Sequence, residues 1–481
     1  MSFADSPSGM DFENEDDLNE QVNRYQKAIR QRRFGGSNEE LPDINMVETL
    51  TNFCINQNRF EEAEEFCKLW TEYFPVSGEA WQKLSYIRLQ QRKYESSLEA
   101  ADKAIEFNPY DTDALLNKAM IFEQTGSPKH TLEITETILQ IEQDNEEAMF
   151  HKAVALQMMK RYEEALEIFE YLITIEDFEK DAAQEIAYCY NLKGDHVGAL
   201  KYYDRCIDVD PFDQNNWYNK AIIHVHKGQF YKAIDAYNMA IMLDPKFYQA
   251  WYNLGNCYST MGKFVESAEA YEQAYEIESG NIDLLNNLAS VYGDLGEYKQ
   301  AISKFTDVIS ISEDFYQAFF GRGICFDALE DYDKAINDFD KAIQLNPNMP
   351  EIWYARADSL YNSDHTARAV LSYKRVIDLD PDNVMAKVDY GNTLHELKKL
   401  DEACDVFKEI IEDEPLKSDG YFGLGRIYAL EDKLEFAAIY LAKAFVIETG
   451  KFIEFKREFN SLIDSNPEFL QKIQDFVEGS E

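Results

Sequence analysis

Trp217-Tyr218-Asn219-Lys220-Ala221, followed by Gly228, Ala233, Tyr237, Ala240 and Pro245, is answered 34 residues later. There the chain reads Trp251-Tyr252-Asn253-Leu254-Gly255, then Tyr258, Gly262, Tyr271 and Ala274. Several positions return in register at once, so the spacing is a structural period and not a chance pairing.

The same frame runs without insertion from Ile44 to Thr449, which gives twelve copies. With Trp217 in the fourth position of a copy, the closing turn falls on Pro75, Pro109, Pro211, Pro245, Pro347, Pro381 and Pro415. Gln143, Asp177, Ser279, Glu313 and Thr449 stand there in the other copies. A small residue recurs at Ala63, Ala165, Ala199, Ala233, Ala301, Ala335, Ala369, Ala403 and Ala437, with Ser97, Thr131 and Ser267 as departures. Small side chains at a fixed place let two helices approach closely. Gly126, Gly194, Gly228, Gly262 and Gly296 share another position, just past the first helix, where a left-handed backbone suits Gly. The copy from Thr112 to Asn145 matches least well, because Thr131 and Thr135 replace its small and aromatic core residues, and irregularity is expected there.

This period and these positions resemble the tetratricopeptide repeat (TPR), a helix–turn–helix unit. The resemblance implies an all-α fold, a TPR α-solenoid in which stacked helix pairs form a right-handed superhelix with the first helices lining its concave side. Residues 44–449 are then twelve tandem TPR units. Residues 1–43 read as a disordered acidic tail followed by a basic N-terminal capping helix from Asn19 to Arg33, with Val22, Tyr25 and Ile29 on one face. Residues 450–481 read as C-terminal capping helices, since a solenoid end needs its last apolar face covered. Phe452, Phe455, Phe459 and Leu462 make one stripe, and a second helix starts at Pro467.

The formal net charge is -43. A surface that acidic repels phosphate backbones and anionic lipid, so nucleic acid and membrane are disfavoured as partners and basic peptides are favoured. The first residues hold Asp5, Asp11, Glu13, Asp16 and Asp17 without a long apolar run, the opposite of a secretory leader. Seven scattered cysteines without paired spacing read as core thiols of a cytoplasmic protein.

The sixth position of the frame carries Asn117, Asn219, Asn253 and Asn287, with Asn256 and Asn286 nearby. This is similar to the asparagine ladder of O-GlcNAc transferase TPR domains. An Asn amide offers one acceptor and two donors, so it can bond both backbone groups of an extended peptide. Aromatic residues at the fifth position, Tyr218, Tyr252, Phe320 and Tyr354 among them, would either stack on ligand side chains or pack between helices. TPR domains that grip chaperone carboxyl termini use Lys and Arg where this chain has Tyr252, Gln317 and Gly321, which argues against that ligand.

No catalytic constellation is legible. His224 and His226 are separated by roughly 200° of helix and do not converge on a metal. Asp378-Leu379-Asp380-Pro381-Asp382 lacks the turn Gly and closing Glu of a calcium loop. The expected protein is therefore a non-enzymatic scaffold or adaptor without cofactor or metal, holding extended basic partner segments in its concave groove. A substrate-presenting subunit of a separate enzyme and a structural assembly protein are the alternatives.

Overall fold

The computed structural model describes residues 15–33 and 41–478. Most of the expected acidic tail, together with Gly35 and Gly36, lies outside the described residues. Among the described residues every regular element is helical. By contacts the chain forms two bodies, Met1–Leu243 and Asp244–Glu481.

In each body the helices come as hairpins of nearly constant length. Gln214–His226 has 13 residues and Phe230–Leu243 has 14; Tyr248–Thr260 and Phe264–Ile277 repeat those lengths. The turn inside every hairpin is set by one left-handed residue. Gly126, Gly194, Gly228, Gly262 and Gly296 have φ between +66° and +76°. Asn58, Arg92, Lys160, Glu330, Asp364, Lys398 and Asp432 hold the same conformation at the same frame position. Local glycine chemistry marked only five of these turns, and helix packing imposes the geometry on the remaining seven.

The turn between hairpins is fixed differently. The indole nitrogens of Trp81, Trp217, Trp251 and Trp353 donate to the carbonyls of Pro75, Pro211, Pro245 and Pro347 at 2.8–3.0 Å. Side chains of Asp43, Ser77, Asp111, Asn145, Asp213, Asn281 and Asn383 accept a backbone N–H and cap the helix that follows.

Inside several hairpins a small residue faces a large one. A Cβ on Gly255 would stand 2.5 Å from the ring of Tyr271, and one on Gly323 would stand 2.6 Å from Phe339. Tyr271 and Phe339 are buried, as are Ala233, Ala335 and Ala369. Burying such a ring contributes about 2 kcal/mol, and the small partner is what makes room for it.

The irregular copy is not the expected one. Thr112–Gln124 and Pro128–Ile141 have the ordinary 13 and 14 residues. Thr131 and Thr135 are buried there, their hydroxyls donating to the carbonyls of Ala119 and Thr131 at 3.3 and 2.9 Å. The break comes later, where Tyr162–Leu172 stops after 11 residues and a short 3-10 turn, Glu176–Phe178, precedes Glu179–Leu192. No Pro closes this copy, and Phe178 instead packs toward Phe150 at 6.1 Å.

The helix Glu15–Arg33 buries Val22 and Ile29 against Val47, Leu50 and Phe66. Arg30 meets Glu65 at 3.4 Å and Arg59 donates to Asn19 at 2.6 Å. At the other end the expected helix over Lys451–Ile463 is broken at Phe459, giving Gly450–Glu458 and Asn460–Ser465. The interruption lets Phe459 stack on Phe455 at 4.8 Å while both rings are buried with Phe469. All seven cysteines are free, and only Cys404 is partly exposed.

Candidate protein-binding face

Side chains of successive first helices meet one another and define a continuous face within the C-terminal body. Its leading part, on Tyr248–Thr260 and Ile282–Asp294, is a network of amides and phenols. The Tyr271 hydroxyl donates to Asn256 Oδ1 at 2.5 Å. Asn287 Nδ2 donates to the Tyr252 hydroxyl at 3.0 Å and to Asn256 Oδ1 at 3.4 Å. Asn256 Nδ2 donates to Asn253 Oδ1 at 3.3 Å. These amides hold one another in place, and Asn253, Asn256, Asn286 and Asn287 all remain partly exposed. Asn286 Oδ1 is a buried acceptor without a hydrogen-bond partner.

Tyr218, Tyr252, Phe320 and Tyr354 each lie beside an aromatic ring of their own hairpin's second helix. Tyr252 lies 5.9 Å from Tyr271, Phe320 6.0 Å from Phe339 and Tyr354 5.8 Å from Tyr373. In the N-terminal body Tyr218 lies 5.8 Å from Tyr237. Part of each of these four rings is thus spent on the hairpin in tilted or edge-on contact, which is the packing alternative, while all four stay partly exposed.

Two predicted amides lie in the N-terminal body. Asn219 is partly exposed. Asn117 is buried, its Nδ2 donating to the Gln82 carbonyl at 3.1 Å, so its amide ties neighbouring hairpins together.

Beyond the amide network the face turns acidic, and these carboxylates were not among the predicted residues. Asp327 accepts a hydrogen bond from Ser359, Asp358 from Tyr373 at 2.5 Å, and Asp389 from Tyr354. Burial pushes the Asp358 carboxyl up to about 6; the Tyr373 hydrogen bond opposes that rise, and the charges of Asp389 and Asp327 add to it. Burial also raises Asp389, aided by Asp419 and opposed by the Tyr354 hydrogen bond. Two arginines of these first helices are engaged with second-helix acids: Arg322 with Asp338 at 2.7 Å and Arg356 with Asp340 at 2.6 Å. Asp389 shares the sixth frame position with Asn253 and Asn287, which could have found it, whereas Asp358 stands at the ninth and Asp327 at the twelfth.

Among the described residues no group of three His, Cys, Asp or Glu side chains could hold a metal ion, and no helix is long and apolar enough to cross a membrane.

No curated protein matches the chain. Among solved structures it is similar to YrrB, a TPR protein with an unusual peptide-binding site, at 22% identity over 41% of this chain and 97% of that one, with a TM-score of 0.36. A tetratricopeptide repeat protein from Parabacteroides merdae is 20% identical over 54% of this chain and 98% of its own, with a TM-score of 0.39. The APC/C hetero-tetramer Cut9–Hcn1 is 13% identical over 90% of this chain and 91% of that one, with a TM-score of 0.38. The tetratricopeptide repeat itself matches at residues 78–111, 147–175, 216–247, 248–281, 282–315, 316–349 and 354–415, more than half of the sequence. With its hairpins, left-handed turns and small-on-large packing, the chain belongs to the tetratricopeptide repeat family.

Proposed function

We propose that this protein is a non-enzymatic cytoplasmic scaffold that holds extended basic segments of partner proteins on the face of its first helices. The observation that carries the reading is the run of carboxylates Asp327, Asp358 and Asp389, which accept hydroxyl hydrogen bonds and have no ion-pair partner among the described residues. Like charges held together in a half-buried site raise each other's proton affinity, and a bound Lys or Arg relieves that repulsion. The amides of Asn253, Asn256 and Asn287 lie on the same face and are already tethered, so they lose little freedom on bonding a peptide backbone. The parts of Tyr252, Phe320 and Tyr354 that stay exposed offer apolar contact on the same face. No cofactor and no catalytic step enter this reading.

Fluorescence anisotropy of a labelled Lys/Arg-rich peptide tests it. Asp358→Asn with Asp389→Asn should weaken binding roughly tenfold at low salt, and added salt should weaken the parent complex in the same direction. Binding indifferent to both changes would remove the basic-segment reading.

A further inference from the structure

The helix Gly450–Glu458 is basic on one side, in a chain of net charge -43. Lys451 pairs with Asp419 at 2.9 Å and Glu458 with Arg426 at 2.8 Å, which fixes that side of the helix against Ser418–Leu430. At about 100° per residue, Ile453, Lys456 and Arg457 lie roughly half a turn round from those two contacts. They face away from the array. Together with Phe452 and Asn460 they line a shallow, open groove along this helix.

The groove combines two features that a mere cap does not need. Ile453 is 65% exposed. Lys456 and Arg457 are exposed, and among the described residues neither has an ion-pair partner. The acids of the same helix are already taken, Glu454 by Lys451 at 3.3 Å and Glu458 by Arg426. The helix therefore presents uncompensated positive charge beside bare apolar surface.

We propose that this groove is a second docking site, taking an acidic partner segment that carries a large apolar side chain. The apolar side chain covers Ile453 and Phe452, and carboxylates of the segment pair with Lys456 and Arg457. A neutral or basic segment would leave both cations unpaired, and a purely acidic one would leave Ile453 in water. Two cations on so acidic a protein are too few to hold an anionic membrane. This inference does not rest on the basic-segment reading of the first-helix face.

The test uses the full chain and two short labelled probes, one alternating Asp or Glu with Leu or Phe, the other with Ser at every apolar place. The first probe should bind and the second should bind at least several-fold more weakly. Lys456→Glu with Arg457→Glu should weaken the first probe roughly tenfold at low salt, whereas Lys129→Glu, a charge reversal on the helix Pro128–Ile141, should not. Ile453→Ser should weaken it several-fold with the helical circular dichroism unchanged. Asp358→Asn with Asp389→Asn should leave it unaltered, so this site and the basic-peptide site can fail separately. Equal binding of both probes, or indifference to the double charge reversal, overturns the proposal. So does light scattering that shows a dimer dispersed by the double reversal, because the occupant is then a second copy.

Discussion

The Tyr373 hydroxyl donates to Asp358 Oδ1 at 2.5 Å, joining the second helix of a hairpin to its first directly beneath the acidic face. Because burial and the neighbouring carboxylates raise the folded-state pKa of Asp358 to about 6, the folded chain binds a proton more tightly than the unfolded chain does. The contribution to stability is fully present below the unfolded pKa near 4 and is lost as pH rises through about 6. Asp358→Asn keeps an acceptor for Tyr373 and removes the charge. Its melting temperature should exceed that of the parent at pH 7.5, and the difference should close at pH 4. A gain of the same size at both pH values would show that ionisation is not its source.

Peptide binding should follow the same titration. A bound cation favours the ionised carboxylates, so the affinity for a Lys/Arg-rich peptide should rise from pH 5 to pH 7. Titrations at fixed ionic strength check the slope. The slope should flatten in Asp358→Asn with Asp389→Asn.

Glu330 and Arg92 hold φ of +59° and +58° at the turn position that five other copies fill with Gly. A non-Gly residue in this region costs about 1 kcal/mol. Glu330→Gly and Arg92→Gly should each stabilise their hairpins by about 0.5–1 kcal/mol, after allowing for the greater freedom of Gly in the unfolded chain. Gly228→Ala should cost about 1 kcal/mol. Hydrogen exchange resolved along the chain reads both changes locally, which suits an array in which each hairpin depends mainly on its neighbours.

Gly255 faces Tyr271 with no space for a methyl group. The Tyr271 ring cannot swing clear without losing its 2.5 Å hydrogen bond to Asn256. Gly255→Ala should destabilise by about 1–3 kcal/mol and lower amide protection across Tyr248–Ile277. It should also weaken peptide binding, because Asn256 joins Asn253 to Asn287. A variant with parent-like protection and parent-like binding would show that the ring is free to move.

Glu64 gathers Lys68, Arg88 and Lys93 at 2.7, 3.3 and 2.6 Å. Burial raises its pKa, but the hydrogen bonds from Lys68 and Lys93 outweigh burial and bring it down to about 2. Glu64→Gln leaves three cations facing one another and should destabilise the first two hairpins by on the order of 2 kcal/mol. With the folded pKa depressed, the stabilisation holds above the unfolded value and is lost as pH falls from about 4.5 toward 2. Thermal scans at pH 7 and pH 3 should show the cost of the substitution shrinking with acid.

The 34-residue period determined the hairpin, because Gly228 and Pro245 act on the backbone at their own positions and Trp217 reaches back only to Pro211. Chain-local chemistry of that kind is written in the sequence. It could not reveal that Lys160 and Lys398 would be held left-handed, since packing of the two flanking helices forces that conformation against the residue's own preference. Nor could it foresee the break at residues 173–178, where Phe178 found Phe150. Which inner-face side chains would be spent on the protein itself was likewise decided in three dimensions. Asn117 turned inward to the Gln82 carbonyl, Tyr252 packed at a tilt against Tyr271, and Asp327, Asp358 and Asp389 became one electrostatic group. Residues some 31 apart in sequence share a field only once successive first helices lie side by side, and only burial there makes that field strong.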